Sequence, residues 1–193
     1  MLMDFAAIIG ATLFGLGQTE LIIFVIVFHF SGSIGAFLFG SLADKKSSKD
    51  AIIFSLLILI ASVACLFFIS SLAAFYVVGF FAGFSLSAAQ AVSRSMVSQL
   101  APPTQSAEFF GFLSVAGRTS TFVGPLVFST ISYRMHNYYV NQGFTELVAE
   151  QRGLLWATGA IIAFLVVGMF LLFLVKRVHT HDVIAADVVT HQA

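Results

Sequence analysis

Charged side chains are scarce in this sequence of 193 residues, where Asp, Glu, Lys and Arg together make up 9%. Soluble domains usually carry about 25% charged residues. Apolar residues instead reach 59% of the chain, so the protein has too few polar groups to cover a surface that faces water. The composition excludes an ordinary soluble domain and predicts a protein embedded in a membrane.

Other absences narrow the possible functions. The formal net charge is zero, which gives no argument for binding nucleic acid. The single cysteine, Cys65, lies in an apolar run, can form no internal disulfide and has no metal-site spacing around it, so we interpret it as a small buried hydrophobic residue. The N-terminus has no basic region and carries Asp4, unlike a signal peptide. We expect no metal and no cofactor.

The sequence also lacks the residues of the membrane enzymes that we considered. An aspartyl protease of the membrane needs two intramembrane aspartates, but every aspartate here lies at or beyond the end of an apolar run. There is no HExxH motif for zinc. Gly83-Phe-Ser85 resembles a turn that carries a serine nucleophile, yet no histidine in a later run can act as its base. We therefore expect that the protein is not an enzyme.

Long apolar runs predict an all-α, polytopic bundle of membrane helices, because a spanning helix needs about 20 mostly apolar residues. Barrel-like alternation is absent. The predicted spans cover about 2–16, 21–43, 51–69, 72–100, 107–133 and 153–175, with a soluble cytoplasmic tail at 177–193. The first run is short, so it is either a short or tilted helix or the end of a longer one, and we favour the second interpretation.

Basic residues near the ends of the runs predict the orientation. The loop after the second run contains Lys45, Lys46 and Lys49, and Lys176 and Arg177 follow the last run on the same side. On the opposite side, Arg134 and Arg152 in the long polar connection 134–153 are offset by Glu146 and Glu150. We expect a multi-pass protein of the cell membrane with both termini in the cytoplasm.

The fourth run combines small and polar residues. Gly79, Gly83 and Ser87 recur every four residues, a spacing that lets another helix approach closely. Gln90 and Arg94 share a face beside this stripe. They either line a cavity or belong to a packing seam from which the arginine extends to the membrane surface.

The fifth run places a cation at mid-depth. Arg118 lies ten residues past Glu108, about 15 Å along a helix, and a charge there faces either a watery cavity or a partner residue. Gly124 and Pro125 are expected to kink the helix. The other residues that we assign to helix packing in this run are Gly111 and Gly117.

The second run carries a histidine, His29, on the face that also holds Ser33, Ala36 and Gly40. A histidine can relay protons, since its ordinary pKa is about 6.5. The alternative, which we favour, is a structural hydrogen bond to another helix.

Two stretches resemble a known family. Gly35-Ala-Phe-Leu-Phe-Gly40-Ser-Leu-Ala-Asp44-Lys45-Lys46 resembles the G-x-x-x-[DE]-[RK] loop signature of the major facilitator superfamily, which joins helices two and three of a six-helix half. The second stretch runs from Gly83 through Gln90, Arg94, Pro102-Pro103, Glu108, Gly111 and Arg118 to Gly124-Pro125. It is similar to the vacuolar-effluxer-like branch, named for a yeast protein linked to amino-acid release from the vacuole.

The resemblance implies the C-terminal six-helix half of a secondary transporter, with five full helices and an incomplete first one. It implies that the fourth helix lines a cavity and that the second and fifth flank the interface with the other half. Our cavity candidates on these three helices are Gln90, Arg94, Arg118 and His29. The cytoplasmic gate loop would comprise Gly40, Asp44, Lys45 and Lys46. The implied partners are membrane lipid, a small solute such as an amino acid, and an N-terminal half or a second copy. The alternative is a truncated or half-size membrane interaction module that does not transport alone.

Overall fold

The computed structural model describes residues 8–12, 14–69, 71–102 and 104–175, and these residues form helices and turns without any strand. The predictions for the tail 177–193 and for the start of the first run fall outside this part of the chain. The helices are α1 (8–12), α2 (Gln18–Lys45), α3 (Ser48–Cys65), α4 (Leu72–Leu100), α5 (Ser106–Asn141) and α6 (Glu146–Leu174).

The all-α membrane bundle predicted from composition is confirmed. Among the described residues, four helices, α2, α3, α4 and α6, are long and apolar enough to cross a membrane. At 36 residues, α5 extends over about 54 Å, but it is less apolar because it carries Glu108, Arg118 and many hydroxyl side chains.

Helix α1 is followed by a tight turn. Gly15 adopts a positive φ of 64°, and its N–H donates to the carbonyl of Ala11 over 3.1 Å. This is the left-handed cap with which many helices end, and glycine takes that conformation without steric cost. The N–H of Gly17 then donates to the carboxylate of Glu20 at 2.8 Å, which satisfies an open backbone donor where α2 begins.

The connection between α5 and α6 differs from the sequence prediction. The polar stretch 134–153 is almost entirely helical, since α5 continues to Asn141 and α6 begins at Glu146. The turn between them contains Gly143, whose φ is 86°. The polar residues of 134–153 show where the chain leaves the apolar layer. They do not show where the helices end, because a helix can continue into water. α5 also runs through Pro125.

Smaller differences affect the other helices. α2 is longer at both ends than the predicted 21–43, and α3 lies three to four residues before the predicted 51–69. α4 has the same bounds as the predicted 72–100. Cys65 is exposed at the end of α3 and is not the buried hydrophobic residue that its sequence context indicated.

Helix α4 packs against both α2 and α3. One apolar cluster joins these helices near the start of α4 and includes Phe24, Leu59 and Phe75. A second cluster, with Phe39 and Val92, joins them near the end of α4. By contrast, α5 packs mainly on α6, and Phe128 is its one buried residue in the structure.

The contact between α2 and α4, called here the α2–α4 seam, is built on glycines. It comprises Ser31, Gly32 and Gly35 of α2 with Gly79, Gly83 and Ser87 of α4. A Cβ atom at Gly35 would overlap the carbonyl of Phe84, and one at Gly83 would overlap that of Phe28. Main chains that approach this closely tolerate no side chain between them. The predicted small-residue stripe of α4 lies in this seam.

The predicted packing residues of α5 have a different environment. A Cβ atom at Gly111 or Gly117 would meet nothing within 4 Å. Gly124 is half-buried and lines a groove beside α6, and Pro125 is exposed. Within the described part of the chain, these residues are therefore not a tight helix contact like the α2–α4 seam.

Candidate functional site

Two polar residues of α4 point away from the core. Gln90 and Arg94 are one helical turn apart, and both side chains are exposed. Counted back from the end of α4 at Leu100, Gln90 lies about 15 Å and Arg94 about 9 Å along the axis. Arg94 is close enough to the helix end for its long side chain to reach the membrane surface.

Arg118 of α5 is also exposed. It lies twelve residues past Ser106, where α5 begins, or about 18 Å along the helix. Because a short turn joins the end of α4 to the start of α5, Arg118 and Gln90 lie at comparable depths. An arginine cannot easily reach the surface from the middle of an apolar layer about 30 Å thick.

Neither arginine has a partner within residues 8–175 as the structure describes them. Their side chains make no hydrogen bond or ion pair there, and no contact joins them to each other or to Gln90. An arginine within a membrane span normally faces water or a partner from another helix bundle. The described helices thus leave three exposed polar residues uncovered, which we call the cationic face: Gln90, Arg94 and Arg118.

His29 bonds within its own helix, not to another helix as the sequence suggested. Its Nδ1 lies 2.9 Å from the carbonyl oxygen of Val25. A carbonyl can only accept, so Nδ1 carries the hydrogen and Nε2 is left as the acceptor in the neutral ring. The ring is exposed and makes an edge-on contact with the ring of Phe28, 6.0 Å between centroids.

The residues of the loop signature form the end of α2 and the turn that follows. Gly40 is half-buried with open space around it, and Asp44, Lys45 and Lys46 are exposed. The N–H of Lys46 donates to the carbonyl of Leu42, which ends the helix. The signature thus marks a compact turn between α2 and α3, with its charges facing outward.

The sequence did not reveal the role of Lys49. We grouped it with the basic residues of the loop, but it lies in the first turn of α3 and is 7% exposed. Its Nζ donates to the carbonyl oxygens of Phe173 and Val175 at the end of α6. Two chain segments more than 120 residues apart meet here, and no local sequence pattern indicates such a contact.

An apolar groove of about 730 Å³ separates parts of α5 and α6. Its hydroxyl groups, those of Thr119 and Ser120, donate to carbonyls of their own helix at 2.9 Å. They therefore offer no free donor to a polar ligand, and the groove suits lipid tails or another helix. The residues lining it include Ala116, Val123, Ala160, Ile161, Phe164 and Leu165.

The facing ends of α5 and α6 form a polar and aromatic cluster. The indole N–H of Trp156 donates to the phenolic oxygen of Tyr139 at 3.2 Å. The Arg152 guanidinium stacks on the rings of Tyr139 and Phe144, 5.1 and 4.8 Å from their centroids. The indole hydrogen bond, helped by Arg152, lowers the pKa of Tyr139 below 10.0. These contacts join the ends of the two helices.

Metal ligands do not cluster in the part of the chain that the structure describes. No three residues among His, Cys, Asp and Glu come close enough there to hold an ion. The chemistry available on the cationic face is recognition by charge and hydrogen bonds, through the two guanidinium groups and the Gln90 amide.

Arginines within the spans of apolar helices are rare and often mark the solute pathways of membrane transport proteins. The model of the family described as "Vacuole effluxer Atg22 like" matches residues 2–149. Because this match covers most of the 193 residues, the chain belongs to that family, and it is an integral membrane protein of major facilitator type.

Curated relatives cover shorter stretches. The chain is 26% identical over 113 residues, 58% of its length, to an uncharacterized MFS-type transporter, YxiO, of Bacillus subtilis. Over 62 residues, 32% of its length, it is 37% identical to autophagy-related protein 22 of Pichia angusta and 39% identical to that of Kluyveromyces lactis. The matches span 26%, 11% and 13% of these relatives' lengths. No solved structure matches the chain.

Proposed function

We propose that the chain acts as the C-terminal half of a secondary transporter that moves a small solute by alternating access. Two six-helix bundles would rock about a site between them near the middle of the membrane. The family supports this class of activity, and the B. subtilis relative is described as an MFS-type transporter.

The observation that carries the proposal is the exposure of Arg118 deep in α5. A guanidinium there is costly unless water, a solute or a facing helix accompanies it. Gln90 lies at a similar depth on α4 and adds a neutral donor and acceptor. The cationic face favours a solute with a carboxylate or another anionic group, a requirement that amino acids meet.

The partner in this proposal is an N-terminal six-helix bundle that covers the cationic face. A second copy of the chain could serve the same purpose. We place the assembly in the cell membrane, with the turn that holds Asp44, Lys45 and Lys46 in the cytoplasm. This orientation puts both termini on the cytoplasmic side and leaves Arg152 on the outer side.

Substitution of Arg118 tests the proposal in the assembled transporter, reconstituted in vesicles with a panel of labelled amino acids. We expect Arg118→Ala to lower kcat/KM by about tenfold to a hundredfold, the range for loss of one charge-assisted contact. Arg118→Lys keeps the charge and is expected to retain much of the activity. The matched control is Arg134→Ala, which removes an exposed arginine near the end of the same helix.

This experiment has three informative outcomes. Loss of transport with Arg118→Ala but not with Arg134→Ala supports a cavity role. Unchanged KM and rate with Arg118→Ala would exclude Arg118 from solute recognition. Equal loss with both variants would indicate a general effect of charge and would also count against the site.

A half-size membrane module is the second candidate. The observation in its favour is the apolar groove beside α5, together with the almost complete exposure of that helix in the structure. Such a surface suits a transmembrane helix from a partner protein. Native mass spectrometry in mild detergent distinguishes the candidates: a stable dimer of this chain without transport would favour the module.

A further inference from the structure

The end of α6 is only partly capped by its own chain. The helix ends at Leu174, its last turn contains no basic residue, and the N–H of Val175, which is extended, donates to the carbonyl of Leu172 at 3.2 Å. The last carbonyls of a helix have no partner within the helix and carry its negative partial charge. At the edge of an apolar layer, an unpaired carbonyl is costly. A donor from another helix can therefore stabilise the carbonyls of this end that Val175 does not satisfy.

Lys49 supplies that donor from α3. Its ammonium group donates to the carbonyl of Phe173 at 2.8 Å and to that of Val175. The charge also lies 6.0 Å from the centre of the Phe173 ring. A cation at a helix C-terminus is favourable because it meets the negative end of the helix dipole. The side chain is almost completely buried, so solvent weakens this attraction little.

The neighbouring residue ties the same turn to α4. The hydroxyl of Ser48, itself 2% exposed, donates to the side-chain oxygen of Gln99 at 2.8 Å. Gln99 is one residue from the end of α4. The first turn of α3 therefore contacts the final turns of both α4 and α6.

We propose that Lys49 and Ser48 form a clasp that holds the α2–α3 turn and the final turns of α4 and α6 as one rigid body. Lys49 is then a positioning residue, since it bonds to backbone and not to solute. The exposed charges of the turn, Asp44 to Lys46, would move with α6 during transport. This consequence rests on the proposed transport function, but the clasp itself does not.

Amide hydrogen exchange of the purified chain in detergent tests the clasp without any transport. We expect Lys49→Met to speed exchange of the amides of 171–175 by about tenfold, because the last turn of α6 loses its cap. Lys49→Arg can still donate to both carbonyls and is expected to restore slow exchange. If Lys49→Met does not fold, Lys49→Leu, which also lacks a donor, carries the same expectation.

Two neighbouring substitutions serve as matched controls. Lys46→Met removes the same charge from an exposed position three residues away and is expected to leave exchange at 171–175 unchanged. Ser48→Ala removes the hydrogen bond to α4 but keeps the bonds of Lys49 to α6. It is therefore also expected to leave exchange at 171–175 unchanged. Unchanged exchange in Lys49→Met, or equal acceleration in Lys46→Met, would overturn the clasp.

Spin labels show whether the turn and α6 move together. Labels are placed at Lys46→Cys and Leu171→Cys, both exposed, after Cys65→Ala removes the native thiol. We expect a narrow distance distribution that broadens when Lys49→Met is added and not when Ser48→Ala is added. An unchanged distribution with Lys49→Met would contradict the rigid connection, even if transport by the assembled protein were lost. Loss of transport without broadening would thus count against the clasp and not against the proposed function.

Discussion

The two helix pairs of this protein, α2 with α4 and α5 with α6, are packed in different ways. In the first pair, glycines bring the main chains together so closely that a single added Cβ at Gly35 or Gly83 would overlap a carbonyl. In the second pair, Phe128, Leu154 and Ala157 form a small apolar contact beside an open groove. Apolar side chains gain little by leaving lipid for another helix, so close packing and hydrogen bonds decide which helices adhere.

This difference divides the bundle into a rigid part and a part with free surfaces. In the α2–α4 seam, the main chains are too close to accept an added side-chain atom at Gly35 or Gly83. Helix α3 also packs against α4. α5 carries Arg118 and presents nearly all of its surface outward in the structure. Surfaces that contact solute or a second bundle must come from helices whose faces are not already used for packing. The polar face of α5 meets that condition.

The largest effect is expected from breaking the α2–α4 seam. Gly35→Leu would force α2 away from the main chain of α4, and we expect it to lower the free energy of unfolding by about 3 kcal/mol, the upper end for overpacking. Thermal and SDS-induced unfolding in detergent, followed by circular dichroism, would measure the loss.

Gly117→Leu is the matched control on α5, because a Cβ there meets open space. Leucine favours a helix over glycine by somewhat less than about 1 kcal/mol, so this control should be neutral or slightly stabilising. Equal destabilisation by both substitutions would refute the contrast between the two pairs.

A moderate effect is expected from Gly153→Leu at the close point of the α5–α6 pair. A Cβ at Gly153 would lie 2.7 Å from the carbonyl oxygen of Ser132, and we expect a loss of about 1–2 kcal/mol. Gly159→Leu, six residues along α6 and in open space, is the comparison. The same unfolding measurements apply, and a loss with Gly159→Leu as large as that with Gly153→Leu would show that the contact is not the cause.

The smallest effect is expected from filling the groove. Ala160 is half-buried on its wall, and Ala160→Leu should change the unfolding free energy by less than about 1 kcal/mol, because the added atoms enter open space. Ala157→Leu, at a residue that is fully buried between the helices, should cost about 1–3 kcal/mol. A large loss with Ala160→Leu would mean that the groove is narrower than the structure shows.

Much of the fold was predictable because it follows from the cost of placing polar groups in lipid. The all-α membrane bundle follows from the length of the apolar runs, and α4 has the predicted bounds. The ends of α5 and α6 were not predictable in this way. Hydrogen bonds and ring contacts of Trp156, Tyr139 and Arg152 accompany their extension past the apolar layer, and these contacts form only when the two helices meet.

For the candidate site, the sequence identified the residues but not their surroundings. The spacing placed Gln90 and Arg94 on one face and Arg118 at mid-depth, because helical periodicity alone fixes those relations. It could not tell that Gly79 and Gly83 meet α2 while Gly117 meets nothing in the described structure. A glycine has the same local preferences in both settings, and only its neighbour differs.

The sequence by itself determined that this protein is a bundle of membrane helices, since composition and the length of the apolar runs fix the apolar surroundings and the helical backbone. Its family was indicated by the resemblance of two motif-bearing stretches. The tertiary structure decided which helices interlock and which keep a free face. It also decided that the side chain of Lys49 is buried against the end of α6, where it donates to two carbonyls, and is not exposed with the other lysines of the loop. Contacts between segments far apart in the chain depend on the relative placement of whole helices, and no local pattern encodes that placement.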